Sequence, residues 1–319
     1  MSEQTASKTL TQGPLLPERN LPWLVQAEPG ITLNEVRDQL EAVVAEKIHQ
    51  TGAVLFRGFP LNGSAGLQEF AHWFTESFLE YDYGSTPRSK VDGSVYSSTE
   101  YPANRTISLH NEMAYAKSWP MRLWFSALEV ADAGGETPIA DSRQVYATIP
   151  EEIREKFAEK KLRYVRNYRT GVDLTWQQAF NTEDPQQMMR FCDEQDIEYT
   201  WFGKELRTVQ ECQAVCEHPV TGEKVWFNQA HLFHVSALEP RLRKAMSMIY
   251  KPEQLPRNVL FADGSEIPDA DLDVVRGVLD DVEVVFPWQK NDILMIDNML
   301  TAHGRKPFEG SRKTVVVMA

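Results

Sequence analysis

The chain has 319 residues, of which 42% are hydrophobic and 25% charged, and these are ordinary values for a globular protein that buries a sizeable core. Its formal net charge of -13 argues against a nucleic-acid partner, because phosphate backbones are bound by basic surfaces. No run of 18 apolar residues is present, so we expect no transmembrane helix.

The N-terminal stretch "MSEQTASKTLTQGPLLPERN" is polar and lacks the apolar segment of a secretory signal. We therefore predict a mobile arm at 1–20, followed by a single domain at 21–319. The three cysteines, Cys192, Cys212 and Cys216, form no CxxC pair. Such sparse cysteines predict free thiols, no disulfide framework and a cytoplasmic location.

Two helices and a strand are predicted in the first quarter of the chain. The stretch 33–52 repeats apolar residues at helical spacing, with Thr32 as a candidate cap and Gly52 as a candidate stop. "AVLFRGF" (53–59) is typical of a short buried strand, and "GLQEFAHWFTESFL" (66–79) of a second amphipathic helix. We interpret both helices as scaffold that flanks a sheet.

From residue 91 the chain changes to short runs rich in β-branched and aromatic residues, separated by turn formers. Helical patterns interrupt these runs at about 149–160, 174–195, 238–250 and 270–278. The predicted fold class is therefore mainly β with flanking helices. Its core would be a closed or sandwiched antiparallel sheet, and an insertion at about 149–280 would form a lid and outer helices.

The stretch "SLHNEMAY" (108–115) places a histidine and a glutamate two residues apart. Seven histidines and 46 acidic residues among 319 supply about one such pair by chance, so the spacing alone is weak evidence. In a strand, residues i and i+2 point to the same face, so His110 and Glu112 would aim an imidazole and a carboxylate at one point. They would then supply two ligands of the 2-His-1-carboxylate triad that binds Fe(II). The alternative is a surface pair on a half-exposed strand.

A second histidine and an arginine occur together in "TAHGRKPFEGSR" (301–312). If the strands on either side of "KPFEG" pair antiparallel, His303 and Arg312 become neighbours. A guanidinium beside a metal ligand suits an anion-binding site, because it holds a carboxylate with two hydrogen bonds. Arg305 is a rival on the strand face of His303, and the alternative for Arg312 is an ion pair with an acid such as Glu309.

Other side chains are candidates for ligand binding on residue type. Thr137 follows a Gly-Gly turn, where its hydroxyl could bond a carboxylate or cap a loop. Aromatic and amide-rich stretches at 175–180 and 226–234 suit a substrate lid, with Asn228 and Gln229 as polar groups among aromatic residues. Candidates around the histidine–glutamate pair are Glu100, Tyr101, Ser108 and Tyr115. We interpret His231 and His234 as structural.

The stretches "AVLFRGFPL", "SLHNEMAY", "GGETPIADSR", "HPVTGEKVWFNQ" and "AHGRKPFEGSRKTVVVM", in this order, resemble the Fe(II)/2-oxoglutarate-dependent oxygenases of the TauD/TfdA superfamily. The likeness covers roughly 50–319 and is greatest to the branch around SyrP and clavaminate synthase. It implies a double-stranded β-helix, or jelly-roll, core. It also implies iron ligands at His110, Glu112 and His303, and a 2-oxoglutarate carboxylate held by Arg312 and Thr137.

The resemblance further implies the reaction. Fe(II), 2-oxoglutarate and O2 would oxidise, and most simply hydroxylate, an unactivated C–H bond with release of succinate and CO2. Halogenating relatives replace the triad carboxylate with a small residue, so Glu112 argues against halogenation. The SyrP likeness suggests an amino-acid-like substrate in specialised-metabolite biosynthesis, either free or tethered to a carrier protein.

Alternatives remain open from the sequence. Desaturation, epoxidation and cyclisation use the same ligands as hydroxylation. A zinc hydrolase or lyase would also accept two histidines and a glutamate, but it leaves Arg312 and Thr137 unexplained. A non-catalytic jelly-roll binding protein is the third possibility, and the oligomeric state is open.

Overall fold

The computed structural model describes residues 10–79, 83–85, 89–97, 101–169, 171 and 173–319. The strands, in chain order, are β1 (Leu10–Leu16), β2 (Arg19–Ala27), β3 (Ala53–Arg57), β4 (Lys90–Asp92), β5 (Val95–Ser97), β6 (Ile107–His110), β7 (Arg122–Glu129), β8 (Ala133–Gly134), β9 (Ile139–Asp141), β10 (Leu162–Tyr168), β11 (Glu198–Phe202), β12 (Glu205–Cys212), β13 (Val215–Glu217), β14 (Lys224–Trp226), β15 (Arg257–Phe261), β16 (Ile293–Asp297), β17 (Thr301–Arg305), β18 (Phe308–Glu309) and β19 (Lys313–Met318).

The α-helices are α1 (Arg37–Thr51), α2 (Gly63–Ala71), α3 (Ser142–Thr148), α4 (Glu151–Lys160), α5 (Trp176–Phe180), α6 (Pro185–Glu194), α7 (Ala230–Phe233), α8 (Pro240–Ile249) and α9 (Asp269–Val282). Short 3-10 turns occupy Asn34–Val36, Val235–Ala237 and Pro252–Gln254. Within these described ranges, no helix has both the length and the apolar composition needed to cross a membrane.

Two sheets pack face to face to form the jelly-roll core. The larger has eight strands in the order β1-β2-β3-β16-β7-β19-β5-β4, and only its β2–β3 pair is parallel. The smaller is antiparallel, in the order β6-β17-β9. Ile139 of β9 shares one apolar cluster with Phe125 of β7 and Leu294 of β16, so this cluster fills the space between the sheets.

Strand β16 is apolar from Ile293 to Ile296 because both faces of the strand are buried. Successive strand residues point to opposite sides, so Leu294 and Ile296 face the smaller sheet. Ile293 and Met295 face the cluster that α1 and α2 cover. The predicted strand at 53–59 is β3, which is wholly buried for the same reason.

Two local predictions for α1 met different outcomes. Gly52 ends the helix as predicted, with a φ of 77° and its N–H donating to Ile48 O, a conformation that favours glycine. The Thr32 side chain accepts no hydrogen bond from a backbone N–H of α1, so it does not cap this helix. Its N–H and hydroxyl both donate to Glu35 Oε2 at 2.9 Å, in the 3-10 turn that precedes α1.

The predicted mobile arm is wrong for the part of 1–20 that the structure describes. Residues Leu10–Leu16 form β1 and pair with β2 in a hairpin at the edge of the larger sheet. Leu15 and Leu16 pack against the core. The prediction missed this contact because most of the residues around these two leucines are polar. Residues 1–9 lie outside the described residues.

The insertion is less helical than predicted. The helical patterns correspond to α4, α5 with α6, α8 and α9, but 149–280 also holds a four-stranded antiparallel sheet in the order β11-β12-β10-β15. One large apolar cluster joins this sheet to the smaller core sheet, through Tyr164 and Phe261 on one side and Leu109 and Ala302 on the other. The insertion therefore covers the outer face of the smaller sheet.

Candidate metal centre and active-site cavity

Two histidines and a glutamate converge where β6 and β17 pair. His110 and His303 are register partners, and their ring centroids lie 4.6 Å apart. Glu112 Oε2 lies 3.8 Å from His303 Nε2, and one ligand atom from each of the three residues lies within 4.8 Å of the others. Glu112 and His303 are buried, and His110 is half-buried.

The prediction that His110 and Glu112 converge because they share one face of a strand is wrong in one respect. Strand β6 ends at His110, so Glu112 is not its i+2 neighbour on a strand face. Residues 111–114 instead form a turn, in which Ala114 N–H donates to Asn111 O and Met113 has a φ of 55°. The carboxylate reaches His303 because the turn carries it there, and the turn has to be held in place by other groups.

Asn298 holds this turn from the end of β16. Its Oδ1 accepts the Glu112 N–H at 2.7 Å, and its Nδ2 donates to Glu112 O at 2.9 Å and to Pro120 O at 2.8 Å. The Asn298 side chain is fully buried. It forms hydrogen bonds with both the N–H and the C=O of Glu112, as the backbone of a neighbouring strand would. A polar residue directly after the buried strand "ILMID" was the signal that sequence reasoning missed.

Asn111 and Gln229 brace the same turn from its other side. Asn111 Nδ2 donates to Ser142 Oγ at 3.0 Å and to Asn298 O at 2.6 Å. Gln229 Nε2 donates to Asn111 O at 2.7 Å. Because a carbonyl only accepts, the Gln229 atom facing Asn111 must be the nitrogen, and this fixes the orientation of the amide.

The tautomer of His110 is set by the backbone. Its Nδ1 lies 2.9 Å from Ser108 O, which can only accept, so Nδ1 carries the proton and Nε2 keeps its lone pair. The ring of His303 packs on Phe125 of the facing sheet at 4.9 Å. Two imidazoles and a carboxylate on one side of a point, with a cavity on the other, fit a metal that keeps open positions.

A second group with metal-ligand chemistry, His49, His218 and Asp297, is better explained as a hydrogen-bond network. His218 Nδ1 accepts from Val220 N–H and Thr221 N–H, so its Nε2 carries the proton and donates to Asp297 Oδ2 at 3.2 Å. The cationic Arg122 lies 3.2 Å from His49 Nε2 and disfavours a metal ion there. This network fixes Asp297, the residue that precedes Asn298.

The predicted pairing across "KPFEG" does not form. Strand β17 pairs with β6 and β9, β18 pairs with β8, and β19 belongs to the larger sheet. Arg312, in the link between β18 and β19, donates from Nε to Gly135 O at 2.9 Å. A side chain at position 135 would bring its Cβ within 3.0 Å of Arg312 Cδ, so glycine makes room for the guanidinium.

The two arginines are used differently. Arg305 donates to the carbonyls of Tyr101, Pro102 and Arg105, so its guanidinium fixes that loop. Burial, with a smaller effect of the neighbouring Arg305, lowers the pKa of Arg312 to about 10. A bound anion would favour the charged guanidinium and so offset both the burial and the repulsion from Arg305. Arg312 is therefore suited to bind a ligand carboxylate.

Thr137 lies two residues after Gly135 and is buried. Its Oγ1 accepts the Trp288 indole N–H at 3.1 Å. Its own O–H donates to no residue that the structure describes, so that proton is available to a ligand oxygen.

A cavity of about 730 Å³ opens beside the triad, a usual size for a small-molecule site. His110 and Glu112 belong to its wall, together with Ser108 and Gln229. Apolar side chains supply much of the rest of the described wall: Ile107, Leu174, Leu232, Phe233, Val235, Ala237, Leu238, Leu242, Met246, Leu255 and Pro256.

The substrate candidates chosen from sequence divide into three groups. Tyr101, Ser108 and Gln229 line the cavity. Tyr115 and Asn228 do not, because the Tyr115 hydroxyl donates to Tyr83 O and the Asn228 amide joins Ala214 O to Ala230 N–H. Glu100 lies outside the described residues.

The two spare histidines also differ from each other. His231 is buried and its Nε2 donates to Leu109 O at 2.8 Å, which is a structural role. His234 belongs to the cavity wall. Two charged residues of the wall, Asp173 and Arg257, were missed, since nothing in their local sequence marks them.

Comparison with known proteins gives the family. Residues 12–318 match the model of the family "Taurine catabolism dioxygenase TauD, TfdA family". The chain is 41% identical over 276 residues to the dapdiamide synthesis protein DdaC of Enterobacter agglomerans, covering 86% of this chain and 84% of that protein. It is 29% identical over 315 residues to a clavaminate synthase-like protein of Arabidopsis thaliana, covering 94% and 88%.

A solved structure with the same fold is that of PvcB from Pseudomonas aeruginosa, described as an Fe, alpha-ketoglutarate dependent oxygenase from an isonitrile synthetic pathway. It is 15% identical, with a TM-score of 0.55 over 100% of this chain and 94% of that one. With the family model and DdaC covering most of the chain, this protein belongs to the TauD/TfdA family and is an Fe(II)/2-oxoglutarate-dependent dioxygenase.

Proposed function

We propose that the protein hydroxylates an amino-acid-derived substrate in specialised metabolism, with Fe(II) held by His110 Nε2, the Glu112 carboxylate and His303. The observation that carries this proposal is the convergence of the three side chains within 4.8 Å beside a cavity of about 730 Å³. Held by these three residues, the metal would supply oxidation of a C–H bond at the expense of O2 and 2-oxoglutarate, with release of succinate and CO2.

We also propose that Arg312 and Thr137 hold the distal carboxylate of 2-oxoglutarate. The support is physical: a buried cation is stabilised by an anion, and Thr137 keeps an O–H available for donation. The contact of Arg312 with Gly135 keeps the two groups close in the fold, because Gly135 lies two residues before Thr137.

The chain's own contribution to the reaction is positioning and exclusion of water. Asn298 and Asn111 hold the turn that carries Glu112, and Ser108 O sets the His110 tautomer. The insertion supplies apolar wall residues that keep the substrate beside the metal and bulk water away. Gln229, with its amide orientation fixed, offers Oε1 as an acceptor for a substrate N–H or O–H.

An amino-acid-derived substrate, free or carrier-tethered, is supported by the mixture of apolar and polar wall residues. The names of DdaC and PvcB place those proteins in biosynthetic pathways, which supports a similar setting here. Three free cysteines support a reducing, cytoplasmic environment. Desaturation, epoxidation and cyclisation would use the same metal site, and product analysis separates them from hydroxylation.

The test is succinate formation by purified protein with Fe(II), ascorbate, O2 and 2-oxoglutarate. We expect turnover in the wild type, loss in His110→Ala and retention in His72→Ala, which alters an exposed histidine at the end of α2. Absence of succinate under all conditions, or equal turnover in His110→Ala, would contradict the proposal.

A further inference from the structure

Asp173 and Arg257 form an ion pair in the cavity wall. The other titratable residues in the described part of this wall are His234, Tyr101 and two of the proposed metal ligands. Asp173 lies in the loop before α5 of the insertion, and Arg257 begins β15. Their side chains are 23% and 27% exposed, so both are partly desolvated and open to the cavity. Burial lowers the pKa of His234, so that histidine is neutral and adds no competing charge.

Each member of the pair keeps capacity for a ligand. Arg257 donates from Nε and Nη2 to the Asp173 carboxylate, and from Nη2 to Ser85 O at 2.6 Å. Its Nη1 makes no hydrogen bond to any residue that the structure describes. Asp173 is itself fixed by the Leu174 N–H, which donates to Oδ1 at 2.8 Å, and its carboxylate oxygens have unused lone pairs.

Asp173 is ionised at neutral pH. Burial acts to raise the pKa of Asp173, but the hydrogen bonds and charge of Arg257 outweigh it, so the pKa lies below its ordinary value. The Arg257 guanidinium also lies over the Phe233 ring, 5.7 Å from its centroid, which favours its position beside the cavity. The wall thus presents one fixed positive and one fixed negative charge side by side.

We propose, on the basis of the proposed function, that this pair recognises the head group of a free α-amino acid, with its carboxylate on Arg257 Nη1 and its ammonium on Asp173. The two charges of the pair compensate each other, so a zwitterion laid against it adds no net charge to the cavity. A ligand with only one charge brings an uncompensated net charge into an apolar cavity, which is costly. A carrier-bound aminoacyl thioester has no α-carboxylate, so the pair favours a free amino acid over one tethered through that group.

The alternative is that the pair only ties the insertion loop to β15. Such a role predicts loss of stability on mutation without any change in which compounds are accepted. The two roles therefore differ in substrate discrimination, and the experiment has to measure that discrimination.

The test measures succinate formation with the twenty protein L-amino acids, and with the α-methyl ester and N-acetyl derivative of each. We expect at least one free amino acid to stimulate turnover, and its two derivatives to show a KM about 10- to 150-fold higher, the effect of losing one hydrogen bond to a charged group. Arg257→Lys and Asp173→Asn should raise the KM of the free amino acid by a similar factor with little change in kcat. Arg257→Lys should also abolish discrimination against the ester.

The matched control is Arg169→Gln, because the Arg169–Glu205 ion pair lies outside the cavity wall. The proposal is overturned if the ester or N-acetyl compound serves as well as the free amino acid, if no free amino acid stimulates turnover, or if both pair variants behave like the control. Slow 2-oxoglutarate decarboxylation without substrate is the independent readout. If that is absent too, the proposed function itself fails and the head-group proposal fails with it.

Discussion

Asn298 should govern the metal affinity of this protein although it offers no ligand to the metal. The substitution Asn298→Ala removes three hydrogen bonds, two to the backbone of Glu112 and one to Pro120 O. At about 1 kcal/mol net for each bond, the free energy of unfolding should fall by about 3 kcal/mol. With its turn released, Glu112 should hold the metal less well, and loss of groups that orient metal ligands typically lowers affinity about 10- to 100-fold.

The assay is anaerobic titration with Fe(II) in the presence of 2-oxoglutarate, alongside urea unfolding. The control is Asn167→Ala, which also removes three hydrogen bonds of a buried asparagine, to Glu253 O, Leu255 O and Arg207 Nε. We expect both variants to lose similar stability and only Asn298→Ala to lose metal affinity. Equal metal affinity in the two variants would refute the reasoning.

Three further predictions follow from the same geometry. Glu112→Gln keeps the size of the side chain but removes its charge, so Fe(II) affinity should fall at least about tenfold with unchanged circular dichroism; unchanged affinity would exclude Glu112 as a ligand. Arg312→Lys should raise the KM for 2-oxoglutarate about tenfold or more without altering Fe(II) affinity, because Lys cannot make two parallel hydrogen bonds to a carboxylate. An unaltered KM would mean that the cosubstrate binds elsewhere. Burial lowers the pKa of His231 from 6.5 to about 4, so the folded state excludes a proton that the unfolded chain binds. Its stabilising effect is complete above pH 6.5 and is lost as the pH falls toward 4, by about 3 kcal/mol in total. Urea unfolding at pH 7 and 4.5 should show a smaller loss in His231→Gln than in wild type, and identical losses would contradict this assignment.

The parts of the site that sequence could predict are those where residue type alone restricts the chemistry. His110, Glu112 and His303 are predicted because imidazole and carboxylate are metal ligands, and the order of stretches resembles a known family. The structure brings them together, although Glu112 lies in a turn and not on a strand. The strand prediction failed there because Asn298, 186 residues away in the chain, supplies the bonds that a strand neighbour would otherwise make.

Long-range contacts also explain the other differences. Arg312 was expected beside His303 through a local hairpin, but β17 and β19 each find partners in separate sheets. Asn228 and Tyr115 have the residue types of ligand-binding groups, yet their polar atoms are used by Ala214, Ala230 and Tyr83. Asp173 and Arg257 are ordinary charged residues in sequence, and only their meeting at the cavity wall makes them informative.

The most direct test of the central claim is the position of the metal. We would crystallise the protein with Mn(II) and N-oxalylglycine, an unreactive analogue of 2-oxoglutarate, and locate the metal by its anomalous scattering. The proposal predicts one peak bounded by His110 Nε2, the Glu112 carboxylate and His303, with the analogue's distal carboxylate on Arg312. A peak among His49, His218 and Asp297, or none at the first site, would contradict it.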